Sequence, residues 1–199
     1  MSPKIFSISE KENLREMMFR SGLELLKEYG MTHMSVEKIA ASAGIGKSTF
    51  YNFFMSKEDF VFQLIKYNRT RFWDAVKEML GDRDKLTVPE CKQVLAAIIN
   101  NNDSVYQYLT PEDEKKLTAA LPEQTALNIK EETDTLKRLF LYFDNVQDDI
   151  DYAVVSNLLK ILALTAENRQ ILHESGYQRT QEKLFSLLYS CIFKEVTHE

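Results

Sequence analysis

The chain has 199 residues, 44% hydrophobic and 28% charged, which is enough apolar material for a core and excludes a disordered polymer. Six glycines and four prolines leave little turn chemistry for a many-stranded sheet, so a mostly helical protein is expected. The net charge of −5 argues against a nucleic-acid binder on average, yet it is unevenly spread: residues 1–71 hold 11 Lys+Arg against 8 Asp+Glu (+3), and the remainder 14 against 22 (−8).

Taken in chain order, Ser9 and Glu12 fit a capping box, and Leu14, Met18, Leu25 and Tyr29 follow at helical spacing until Gly30 supplies a stop. Ser35 caps a short second helix carrying Val36, Ile39 and Ala40, which Gly44 ends. A third short helix spans about 46–53. Ser56 and Asp59 form another box, opening a long helix through Phe60, Leu64, Tyr67 and Val76 to Leu80, with Gly81 after it. Further helices are expected over about 89–101, from Thr110-Pro111, from Pro122 through Phe143, over 148–168 behind Asp148, Asp149 and Asp151, and over 177–195. No stretch approaches the roughly 20 apolar residues of a membrane span, and the N-terminus lacks the apolar core of a secretory signal. A cytoplasmic protein is expected. Cys91 and Cys191 stand far apart, and His33, His173 and His198 are scattered, so neither a disulfide framework nor a metal site is expected, and no cofactor is implied. No nucleophile–base pair or paired carboxylates argue for an enzyme.

The stretch "GIGKST" at 44–49 poses the functional question, because glycine, lysine and hydroxyls together resemble a phosphate-holding loop. A P-loop requires G-x-x-x-x-G-K-[ST] behind a buried strand. Here the first glycine is replaced by Ala41, and "SVEKIAASA" has the spacing of a capped helix. The competing reading is a helix-turn-helix over about 34–53. Ala40 lets two helices cross closely, Gly44 makes the turn, and Ile39, Ile45 and Phe50 seat the second helix. Lys47, Ser48, Thr49, Tyr51 and Asn52 then face outward, with hydroxyls and a lysine for phosphate or guanine and an amide for adenine. A polar helix face that merely carries a lysine stays open as the plainer alternative.

The segment "MSVEKIAASAGIGKSTFYNFFMSKEDFVFQLI" resembles the DNA-binding segment of the TetR family of bacterial transcriptional regulators, and "LELLKEYG" extends the likeness back to about residue 12. The resemblance covers about 12–65. It implies that Lys47, Ser48 and Asn52 lie nearest base edges, that Ser35, Thr49 and Tyr51 meet backbone phosphates, and that Lys57 meets phosphate at the start of the fourth helix. Gly22 departs from the family's usual alanine, which either weakens the first helix or permits a close approach.

Beyond this segment only the helical layout resembles the family. That layout implies an all-α protein: a helix-turn-helix domain over 1–56, joined by the long fourth helix to a larger effector-binding and dimerisation domain over 57–199. It also implies a homodimer through the last two long helices. The sequence adds wide apolar arcs on both, including Val154, Leu158, Ile161, Leu184 and Leu188, which need a second covered face. A fully buried central helix would satisfy them as well. Trp73, Tyr106 and Phe143 are candidates to line an effector pocket, and the few accompanying charges favour an apolar or aromatic ligand. The reading is a ligand-responsive regulator, a repressor by family habit, on a palindromic DNA operator. Its rivals are a P-loop-like nucleotide binder using GIGKST and a helical small-molecule-binding protein without a DNA function.

Overall fold

Helix α1 (Ile8–His33) begins at a capping box in which the Ser7 hydroxyl accepts from the Glu10 amide at 3.2 Å, while the Ser7 amide donates to Glu10 Oε2 at 2.8 Å. The computed structural model describes residues 7–100, 105–121 and 129–195, the side chains of 106, 107 and 129–133 excepted. The expected Ser9/Glu12 box is thus displaced by two residues. "SISEKE" contains two overlapping Ser-x-x-Glu spacings, and the earlier one caps a longer helix. Gly30 does break the regular helix, with φ 68° and ψ 167°. The chain then makes one more turn, which drives Met31 and Met34 into the core.

Helix α2 (Val36–Ser42) is capped by Ser35, whose hydroxyl accepts from the Lys38 amide at 3.2 Å. Helix α3 (Lys47–Phe50) is shorter than the expected 46–53, because residues 51–53 leave it as a turn. There Asn52 N–H bonds to Thr49 O and Phe53 N–H to Phe50 O. Helix α4 (Lys57–Leu80) ends before Gly81, whose φ is 58°. At its start Ser56 accepts from the Asp59 amide as expected. The Asp59 carboxylate, though, reaches one residue further back, to the Met55 amide at 2.8 Å, and also accepts from Gln63 Nε2.

After these come α5 (Val88–Ile99), a 3-10 turn at Val105–Tyr108, α6 (Pro111–Ala120), α7 (Ile129–Phe140), α8 (Tyr152–Glu167) and α9 (Glu174–Ile192). The Thr110 start signal for α6 holds, with a reciprocal Thr110/Asp113 box. The expected start at Pro122 lies outside the described residues. α8 begins later than 148, since Asp151 alone caps it by accepting from the Ala153 and Val154 amides. α9 runs about one turn earlier than expected, ending where Phe193 bridges to Val146.

The chain divides into two compact units, Met1–Trp73 with Asn102–Leu127 and Asp74–Asn101 with Asn128–Glu199. The division falls within α4 and not at 56/57, because Phe60, Val61, Leu64 and Ile65 belong to the core of the first unit. Val105 and Leu117 join that core too. Its centre is aromatic: the Phe60 ring lies 5.8, 5.7 and 5.0 Å from Phe19, Phe50 and Phe54. A Cβ on Gly22 would lie 2.3 Å from Phe60 Cζ, so Gly22 is the notch that lets α1 and α4 approach. The second unit packs α8 against α9, α7 and α5. Two single bridges, Leu86 to Phe143 and Val146 to Phe193, tie its loops.

Candidate nucleic-acid interface

The turn between α2 and α3 follows from two small residues. Ala40 is buried at the crossing, and its carbonyl accepts from the Ile45 amide at 3.0 Å. Gly44 sits at φ 68°, a conformation that costs a side-chain-bearing residue roughly 1 kcal/mol or more. Ile39 and Phe50 are fully buried and anchor the pair, whereas Ile45 is only half-buried at the rim. α2 precedes "GIGKST", so the strand–loop–helix cradle of a nucleotide site is not formed there.

With Phe50 inward, the opposite side of α3 and its turn is polar. Lys47, Ser48, Tyr51 and Asn52 are exposed and Thr49 is half-buried. The Tyr51 ring meets Phe50 edge-on at 5.5 Å, which fixes the ring while leaving the residue 48% exposed. Lys47 Nζ lies 2.5 Å from Glu37 Oε1, an ion pair spanning α3 and α2. That bond raises the Lys47 pKa and holds the Glu37 carboxyl below its ordinary range. Ser35, half-buried, stands at the start of α2 and spends an acceptor lone pair on its cap. Beside it Lys38 Nζ lies 3.5 Å over the Tyr29 ring, a cation–π contact that adds positive charge to the same neighbourhood.

Lys57 is placed differently from the expectation. Its ammonium donates to the Met31 carbonyl at 2.9 Å and reaches the Thr32 carbonyl at 3.5 Å. It therefore caps the C-terminal end of α1, where free carbonyls and the negative dipole end attract a cation. Thr32 is held in turn from α6, donating its hydroxyl to Asp113 Oδ1 at 3.1 Å. Sequence reasoning missed Glu37, Lys38 and Tyr29. Glu37 was the findable one, since a lone acid on α2 has the lysine of α3 within reach.

The other candidate residues are distributed as follows. Trp73 is buried, edge-on to Phe72. Phe143 is buried, stacked at 5.1 Å on Phe140 and facing Phe193 at 6.3 Å, as an ordinary core residue of its unit. The side chain of Tyr106 lies outside the described residues. On α8, Val154 and Ile161 are 42% and 43% exposed, but Leu158 is buried within the chain. On α9, Leu184 is half-buried and Leu188 is fully buried within the chain. Leu158 and Leu188 thus face their own core, and the outward apolar positions are Val154, Ile161, Leu164 and Leu187. Cys91 is buried, which pushes its thiol up to about 11, and neither cysteine is in a disulfide. Among the described residues no helix is long and apolar enough to cross a membrane.

Residues 19–64 match the family of bacterial regulatory proteins described as the tetR family. The fatty acid metabolism regulator protein of Bacillus subtilis is 31% identical over 85 residues, 43% of this chain and 41% of that relative, so the match spans less than half of the relative's length. Among solved structures, the fatty acid degradation regulator FadR of Bacillus halodurans is similar with a TM-score of 0.56 at 14% identity, covering 98% of this chain and 100% of that one. NalD of Pseudomonas aeruginosa, the secondary repressor of the MexAB-OprM multidrug efflux pump, gives 0.56 at 15% identity over 94% and 98%. A TetR family regulator from Marinobacter aquaeolei gives 0.55 at 16% over 95% and 100%. At these identities the structural likenesses speak for the fold. Residues 19–64 are thus similar to the tetR family of bacterial regulatory proteins, and the chain as a whole shares the helical fold of solved regulators of that kind.

Proposed function

We propose that the protein is a cytoplasmic, ligand-responsive repressor that binds a palindromic operator as a homodimer and is released by a small apolar or aromatic effector. One observation carries the reading: the left-handed turn at Gly44 buries Phe50 and leaves Lys47 and Ser48 on one short helix, and Tyr51 and Asn52 on the turn after it, facing outward. Such a helix fits a major groove, with Ser48 and Asn52 toward base edges and Thr49, Tyr51 and the Ser35 corner toward phosphates. The outward apolar residues Val154, Ile161, Leu164 and Leu187 support a two-fold contact through α8 and α9, which would set two recognition helices about 34–36 Å apart. Lys57 contributes by fixing the α1 end that borders the interface.

Release requires the effector to bind one head spacing better than the other. Trp73 and Tyr106 stay the candidates for its pocket, whereas Phe143 is taken up by its own core. Because relatives include regulators of fatty acid metabolism and degradation, acyl compounds are the first effectors to try.

The test is selection of duplexes from a random pool by the full chain. A palindrome bound by two chains, with binding weakened by Tyr51→Phe on every duplex, is the expected result. Failure to enrich any sequence would instead favour a helical small-molecule-binding protein.

A further inference from the structure

α3 and the turn after it (residues 46–53) contain a single cation, Lys47, and it is already engaged. Its ammonium sits 2.5 Å from Glu37 Oε1, with the lysine and glutamate side chains 53% and 59% exposed. The pair is not a packing device, since neither side chain belongs to the core. It crosses the turn, joining the first turn of α2 to the first residue of α3. At the start of α2 the carboxylate is favoured by the positive dipole end and by unsatisfied amides. Any phosphate approaching Lys47 must displace this carboxylate and then tolerate its negative charge nearby.

We infer that Glu37 is a positioning residue that withholds Lys47 from indiscriminate phosphate contact and so sets how strongly the protein prefers its operator over other DNA. This rests on the DNA-binding reading above. On the operator, base contacts by the α3 face hold the helix in one register, and the same phosphate stays within reach of Lys47 long enough to replace Glu37. On random duplex the register is not held, and the carboxylate, always in place, keeps the lysine. Removing its charge therefore adds one phosphate contact per recognition helix mainly to non-specific complexes. Each such contact steepens the log–log salt dependence by about 0.9, roughly 8-fold in affinity at 0.1 M salt.

The test is fluorescence anisotropy of the full chain on a selected duplex and on its scrambled counterpart, from 50 to 300 mM potassium chloride as a chosen range, with helicity checked by circular dichroism. Glu37→Gln is expected to tighten scrambled-duplex binding by about 8-fold at 0.1 M salt, and to steepen its slope by about 0.9, for each recognition helix engaged. The selected duplex gains less, so the preference narrows. In a Lys47→Ala background Glu37→Gln is expected to leave the slope unchanged, which isolates the action through Lys47. An unchanged slope in the wild-type background overturns the inference while operator binding still stands. Equal steepening in both backgrounds overturns it too, because Glu37 would then act by its own field. Absence of binding to either duplex by the unaltered chain refutes the DNA-binding reading itself.

Discussion

Gly22→Ala separates two opposing effects whose sizes can be worked out beforehand. Gly22 lies inside α1, where alanine is better than glycine by roughly 1 kcal/mol, so helix propensity alone forecasts stabilisation. The added Cβ, however, would stand 2.3 Å from Phe60 Cζ and 2.7 Å from Cε1, both well inside the 3.4 Å at which ordinary contact begins. A ring end can often swing aside. Phe60 cannot do so cheaply, because it is fully buried among Phe19, Phe50 and Phe54. Overpacking of this kind costs about 1–3 kcal/mol. Overpacking at least offsets the propensity gain, and the expected net loss is up to about 2 kcal/mol, or up to roughly 8 °C in midpoint for a chain of this size. Urea and thermal unfolding followed by circular dichroism read it. In a Phe60→Leu background the clash is relieved, and Gly22→Ala should become neutral or stabilising by up to about 1 kcal/mol. Stabilisation by Gly22→Ala in the otherwise unaltered chain would refute the close α1–α4 approach.

Lys57→Ala should lower stability by about 1 kcal/mol in denaturant titration, through loss of the bond to the Met31 carbonyl, and leave the salt slope of DNA binding unchanged. Asp113 is nearly fully buried; burial raises its pKa, but the Thr110 hydroxyl and amide and the Thr32 hydroxyl together hold it below the ordinary value. A lowered folded pKa means a contribution present above the unfolded value of about 3.9 and lost as pH falls through the folded one. Asp113→Asn should therefore cost about 1–3 kcal/mol at pH 7, with the gap to the unaltered chain closing in acid-titrated unfolding below about pH 4. Ile161→Glu, which places a charge on the outward face of α8, should convert a dimer to a monomer by light scattering without unfolding it, whereas unchanged mass would argue against that face.

What the sequence revealed depended on range. Caps at Ser35, Ser56 and Thr110 join a side chain to an amide three residues away, and all three could be read from local spacing. Spacing alone does not choose between Ser7/Glu10 and Ser9/Glu12, since it occurs twice within six residues, and the fold uses the earlier pair. Gly44 was legible as a turn because few residues tolerate its φ. Lys57 was not legible as a cap, since its partners lie 25 and 26 positions upstream and only the fold brings them near. The wide apolar arcs of α8 and α9 were visible, but periodicity does not say which face is inner. The structure turns Leu158 and Leu188 inward and Val154 and Ile161 outward. Of the α3 face, Lys47, Ser48, Tyr51 and Asn52 are legible as outward and Thr49 is half-buried instead, while the carboxylate holding Lys47 is not legible because it belongs to the preceding helix.

The central claim is that the polar face of α3 reads DNA. The most direct measurement is the affinity of the full chain for a duplex selected from a random pool, compared with its scrambled version at 0.15 M salt and repeated with Asn52→Ala. The account predicts a preference of 10³-fold or more, on the order seen for specific DNA complexes, and its loss by at least about 10-fold in the variant. Equal affinity for the two duplexes, or a preference that survives Asn52→Ala and Ser48→Ala together, would contradict it.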